Sequence, residues 1–126
     1  MKVFTFKELI TSSKCNELVN AFIKENNYSD HQVIGSNRID KPNFLKPTRI
    51  EVKKIIEAKT NLVLQPRFFA MRKYNKGNVL KRHYDNVNTD LALTIPILQS
   101  DDLPNPIFLF EGDTTVAYNL NQGDGL

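Results

Sequence analysis

Apolar residues recur at two different spacings along the chain. In "TSSKCNELVNAFIKENN" (11–27), Cys15, Leu18, Val19, Phe22 and Ile23 fall three and four apart. That stripe predicts an amphipathic helix, with Ser12 or Ser13 as its N-cap. In "KPTRIEVKKIIEAKTN" (46–61), Val52, Ile55 and Ile56 form a second stripe, and Thr48 and Glu51 have the spacing of a capping box. After Pro66 the spacing drops to two. "RFFAMRKYN" sets Phe68, Ala70, Arg72 and Tyr74 against Phe69, Met71 and Lys73, which predicts a strand. "VLKRHYD" is read as extended. "LALTIPIL" alternates Leu91, Leu93, Ile95 and Ile97 with Ala92 and Thr94, and Pro96 limits it to an edge or bulged strand. "IFLFEGDTTVAYNL" predicts a hairpin turning at Glu111-Gly112-Asp113, and "NQGDGL" a turn that begins another strand.

The opening "KVFTF" alternates as well and predicts a short strand. Residues 28–46 are rich in Asn, Asp, Gly, Ser and Pro and are read as a loop, long enough to act as a lid over a site. Two helices followed by many short antiparallel strands give an α+β sandwich or jelly roll, backed by helices on one face.

Composition narrows this only slightly. A chain of 126 residues with 40% hydrophobic and 25% charged residues suits a single domain, 1–126. The net charge of +3 comes from scattered lysines, so nucleic acid is not an expected partner. No apolar run approaches the roughly 20 residues of a membrane helix, and the opening lacks the features of a signal peptide. Cys15 is the single cysteine, which rules out an internal disulfide and fits a reducing cytoplasm. Its place on the first helical stripe suggests packing rather than chemistry.

The candidate chemistry lies in "NVLKRHYDN" (78–86). On an extended chain His83 and Asp85 project from one face, roughly 7 Å apart at their backbones. An imidazole and a carboxylate together suit a borderline divalent metal, and a second histidine would make the facial triad of non-haem Fe(II) oxygenases. Taken alone, His-x-Asp is short enough to arise often by chance.

The surroundings of the pair carry a longer pattern. "RKYNKGNVLKRHYDN", "TDLALTIPIL" and "PNPIFLFEGDTTVAYNLNQGDGL" together resemble the 2-oxoglutarate- and Fe(II)-dependent dioxygenases, in the prolyl 4-hydroxylase-like branch. Tyrosine, glycine turn, leucine, His-x-Asp, threonine-bearing strand, hairpin and "GD" turn follow in the family's order, and "FKELITSSKCNELVNAFIKE" is similar to that branch's opening helix. The resemblance implies a double-stranded β-helix (jelly-roll, cupin-like) core with N-terminal helices on one face. It implies His83 and Asp85 as iron ligands, Tyr74 bonding the distal carboxylate of 2-oxoglutarate, and Thr94 lining that pocket. The implied activity is hydroxylation of an amino-acid or peptidyl substrate, a prolyl one included, with 2-oxoglutarate as cosubstrate and ascorbate as an optional auxiliary. From the residues alone, Tyr74 is equally a core tyrosine and Thr94 a good strand residue. Gly77 is expected to take a positive φ in its turn. Arg72 is either a strand-surface charge or the partner of an acid near the pocket.

The family's second histidine ligand, and the basic residue after it that pairs with 2-oxoglutarate, would follow the "GD" turn, but the sequence reaches Leu126 before either. The remaining histidine, His31, has no ligand role under the resemblance. The expectation is a dioxygenase domain truncated before its final core strands. The alternative is a catalytically inactive jelly-roll binding domain that lacks the second histidine ligand.

Overall fold

Thr11 sets the start of the first helix, α1 (Ser12–Lys24), in this computed structural model, which describes residues 2–25, 27–86, 88–99 and 105–126. The Thr11 hydroxyl accepts the Lys14 amide at 3.2 Å. A capping oxygen must sit just outside the helix to reach its third amide. Ser12 and Ser13, expected as caps, are already inside. Cys15, Leu18 and Phe22 are buried, whereas Ile23 is 69% exposed, so the apolar stripe is narrower than its spacing suggests. Burial pushes the Cys15 thiol pKa up, which suits a packing role.

The chain divides into two units. One joins the N-terminal residues up to Val19 with Leu93–Leu126, and the other runs from Asn20 to Ala92. Among the described residues the secondary structure is α+β, with two helices, two small antiparallel sheets and no closed barrel.

In the Asn20–Ala92 unit, the segment read as a loop holds structure of its own. Strands β1 (Tyr28–Ser29) and β2 (Asn37–Asp40) pair antiparallel, and a 3-10 turn over Asn43–Leu45 leads into helix α2 (Lys46–Thr60). Strand β3 (Ala70–Lys73) then pairs antiparallel with β2, placing Arg38 opposite Arg72 and Ile39 opposite Met71. The polar composition of 28–46 hid this sheet because its strands are two and four residues long, too short to show a period.

Helix α2 covers the expected span, with Val52 and Ile56 buried and Ile55 partly so. The expected capping box does not form. The helix begins at Lys46, which puts Thr48 inside its first turn, buried and with its hydroxyl unpartnered. Pro47 in the first turn explains the early start, since a ring-fixed φ suits that position. Asn61 ends the helix in the left-handed region at φ 58°, its amide donating to the Glu57 carbonyl. Val33, Ile39, Val52, Ile56 and Phe22 supply this unit's buried apolar residues.

In the other unit, β4 (Ile107–Glu111) and β5 (Thr114–Tyr118) form the predicted hairpin, with Glu111 opposite Thr114 across the turn. The strands expected at 2–6 and 91–98 reduce to isolated pairings. Phe6 and Gly125 exchange both backbone hydrogen bonds at 2.9 Å, and Thr94 and Leu126 exchange theirs at 3.0 and 3.1 Å. Consecutive residues of an extended chain point their amides to opposite sides. The tail therefore runs between the two segments. Pro96 has no amide to give but accepts the Gly123 amide at 2.8 Å.

Asp124 fixes the turn before this tail. Its carboxylate accepts the Glu8 amide at 2.9 Å and the Asn121 amide at 3.1 Å, and Lys7 lies 3.5 Å away. Gly123, at φ +85°, packs so tightly that a Cβ would stand 2.0 Å from the Ile10 carbonyl oxygen. Phe6, Leu9, Ile10, Cys15 and Leu18 are buried in the same unit.

Candidate metal centre

The strand preceding the candidate ligands ends early. β3 stops at Lys73, and residues 78–86 pair with no strand among the described residues. The expected ladder over "VLKRHYD" is therefore absent. Gly77 takes the positive φ expected of it, +85°, in the turn after Tyr74. Asn78 closes that turn, its side-chain oxygen accepting the Asn75 amide at 2.7 Å. The Asn78 side-chain amide donates to the Ile34 carbonyl at 3.2 Å, and that of Asn75 to the Gly35 carbonyl at 2.9 Å. The turn is thus pinned to the β1–β2 connection even though no ladder continues beyond it.

His83 and Asp85 come together. Nε2 of His83 lies 3.5 Å from Oδ1 of Asp85, while Tyr84 between them is 94% exposed. Nδ1 of His83 is 2.7 Å from the Lys81 carbonyl oxygen. A carbonyl can only accept, so in this contact Nδ1 carries the proton, and in the neutral ring the Nε2 lone pair is left facing Asp85. Histidines that bind metals usually hold their second nitrogen this way.

The separation also fits a shared ion. Two donors each about 2.1 Å from one cation stand roughly 3 Å apart at a right angle and about 4.2 Å apart at most. The observed distance lies inside that span. His83 and Asp85 therefore fit two positions on a divalent metal, with no group of three or more His, Cys, Asp and Glu side chains gathered among the described residues.

Tyr74 belongs to a neighbouring cluster in the same unit. Arg72 Nη1 donates to the Tyr74 hydroxyl at 3.1 Å, and its guanidinium carbon lies 5.6 Å from the tyrosine ring centre. Arg72 is itself held, Nε on the Asp30 carboxylate and Nη2 on the Gln32 side-chain oxygen at 2.8 Å. Arg72 is thus the partner of an acid, Asp30, rather than a free strand-surface charge. Asp30 is buried, and Oδ1 also accepts the Gln32 amide at 2.8 Å and faces Arg38 at 3.8 Å. Burial opposes ionisation of Asp30, but the Gln32 amide, Arg72 and Arg38 outweigh it and hold the carboxyl below its ordinary value. No hydrogen bond joins Tyr74 to His83 or Asp85 among the described residues.

Thr94 belongs to the other unit, exposed, with its backbone committed to Leu126. His31 is exposed in the β1–β2 connection. There it lines a recess of about 280 Å³ with Tyr28, Ser29, Asp30, Gln32, Arg38 and Asp40.

Asp30 and Gln32 are the residues that sequence reasoning missed. The signal available was an Asp two residues before an amide it could accept, the pattern of an Asx turn, inside a segment read only as loop. Against protein-family models, curated proteins and solved structures, the chain finds no match.

Proposed function

We propose that this chain carries the metal-binding pair of an Fe(II)- and 2-oxoglutarate-dependent dioxygenase that hydroxylates an amino-acid or peptidyl substrate, on a jelly-roll core. The observation that carries the reading is the convergence of His83 Nε2 and Asp85 Oδ1 at 3.5 Å with Nδ1 tied to the Lys81 carbonyl. Every described strand pair is antiparallel, as such a core requires. The single free cysteine supports a cytoplasmic setting.

In this reading His83 binds through Nε2 and Asp85 through its carboxylate. Both must be deprotonated to do so, the imidazole neutral and the acid ionised. The Lys81 carbonyl keeps the ring from turning its protonated nitrogen inward. The Tyr74 hydroxyl donates to the distal carboxylate of 2-oxoglutarate. When bound, Fe(II) would supply the redox chemistry by which dioxygen, the oxidant, is split between 2-oxoglutarate, converted to succinate and carbon dioxide, and a substrate C–H bond, converted to a hydroxyl.

The test is anaerobic equilibrium dialysis of the full chain against Fe(II), followed by addition of 2-oxoglutarate and a visible spectrum. Wild type is expected to retain about one Fe(II), to lose it in H83A and D85A, and to develop a weak charge-transfer band. Equal retention in H83A, or none in wild type, would leave the alternative: a binding domain of the same architecture without oxygen chemistry.

A further inference from the structure

Resting on the assignment of Tyr74 to the 2-oxoglutarate carboxylate, we propose that Arg72 is a positioning residue that fixes which way the Tyr74 hydroxyl donates.

A phenol oxygen offers one proton and accepts on its lone pairs, whereas a guanidinium only donates. The 3.1 Å contact from Arg72 Nη1 therefore occupies the accepting side of the Tyr74 oxygen. The O–H is left with nothing to do inside this cluster and points its proton to an acceptor outside it. A carboxylate is the acceptor such a donor favours, because a charge-assisted bond is about twice as strong as a neutral one. Tyr74 is 48% exposed, so an incoming carboxylate can reach it.

Arg72 can do this because it is held independently of Tyr74, by Asp30 at Nε and Gln32 at Nη2. Asp30, buried and additionally held by the Gln32 amide, gives the guanidinium plane a fixed reference. Residues i and i+2 of an extended segment share a face, which brings the Arg72 fork onto the Tyr74 side chain. A lysine in its place would keep the charge but lose the planar fork. The β1–β2 connection, not the segment bearing the metal pair, thus sets the direction of the cosubstrate donor.

The experiment is an anaerobic titration of 2-oxoglutarate into the Fe(II)-loaded full chain for wild type, R72K, Q32A, Y74F and the double variant R72K/Y74F, with Fe(II) affinity measured in parallel. Y74F is expected to weaken 2-oxoglutarate binding about tenfold, the loss of one hydrogen bond to a charged group. R72K should weaken it about fivefold and Q32A about twofold, each with Fe(II) affinity unchanged. In the Y74F background R72K should add nothing, because Arg72 acts through the hydroxyl that Y74F removes. Gln32 is exposed, so Q32A gives a reading should R72K not fold. Wild-type affinity in R72K or, failing that, in Q32A overturns the proposal. So does wild-type affinity in Y74F, or an R72K effect that persists undiminished in Y74F. Absence of 2-oxoglutarate binding in the Fe(II)-loaded wild type overturns the functional reading itself and this proposal with it, which separates the two failures.

Discussion

Arg38 and Arg72 stand directly opposite each other across the β2–β3 ladder, with the Asp30 carboxylate bridging them. Like charges in register destabilise a strand pair, and here the buried Asp30 lies between the two while Asp40 pairs with Arg38 at 2.6 Å. Removing Asp30 takes the ion-pair partner from Arg72, while Arg38 keeps Asp40. D30A is expected to lower the unfolding free energy by about 3 kcal/mol, and D30N by less, since an amide oxygen still accepts. Urea denaturation checks this. A loss below about 0.5 kcal/mol in D30A, the range of an ordinary surface change, would show that the bridge contributes nothing.

Acid should weaken the protein through its lowered carboxyls, of which Asp124 and Asp30, one in each unit, are buried. Asp124 is held below its ordinary value by the Glu8 amide; burial opposes this, and the Asn121 amide and Lys7 add to it. Asp30 is lowered too. A carboxyl that releases its proton more readily in the folded than in the unfolded state stabilises fully above its unfolded pKa, and that stability is lost as pH falls through the folded value. Tm is therefore expected to hold from pH 7 to about 5 and to fall below about pH 4. D124N should start lower and fall less steeply over the acid limb. An identical acid slope in D124N would rule out the contribution of Asp124.

Gly123 and Gly77 share the same φ, +85°, but not the same surroundings. A Cβ on Gly123 would meet the Ile10 carbonyl at 2.0 Å, while one on Gly77 would meet nothing within 4 Å. G77A should cost about 1 kcal/mol, the strain of a left-handed residue. G123A should cost at least about 2 kcal/mol more, because backbone has to move. Equal losses in the two variants would mean that the tail yields without penalty.

The two helices, β3 and the hairpin were legible in the sequence; β1 and β2 were not, and the alternation over 91–98 did not become a strand. Helices α1 and α2 and the β4–β5 hairpin all appear where spacing and turn residues placed them, because each runs long enough to show its period. β1 and β2 do not announce themselves: Tyr28–Ser29 and Asn37–Asp40 contain no apolar alternation, and their pairing is decided by Asp30 and the sheet partner β3. The same limit applied to the chemistry. His83 and Asp85 could be paired from a two-residue interval, and their side chains do converge, though without the strand that motivated the pairing. The links from Arg72 back to residues 40 and 42 positions earlier depend on tertiary contacts that no local pattern encodes, and the Lys81 carbonyl on the His83 ring, though only two residues away, depends on a backbone turn that residue types do not specify.

The pairing of Phe6 with Gly125 joins positions 119 residues apart, and Thr94 with Leu126 adds a second late closure. A chain emerging from the ribosome one residue at a time cannot make either contact until residues 125 and 126 are out. The Asn20–Ala92 stretch has no such dependence, being contiguous. Synthesis therefore imposes an order: the sheet carrying Arg72 can settle early, while Phe6, Leu9 and Ile10 wait, apolar and uncovered, for residues 123–125 to pack against them. That interval is when the nascent chain is most exposed to mispairing.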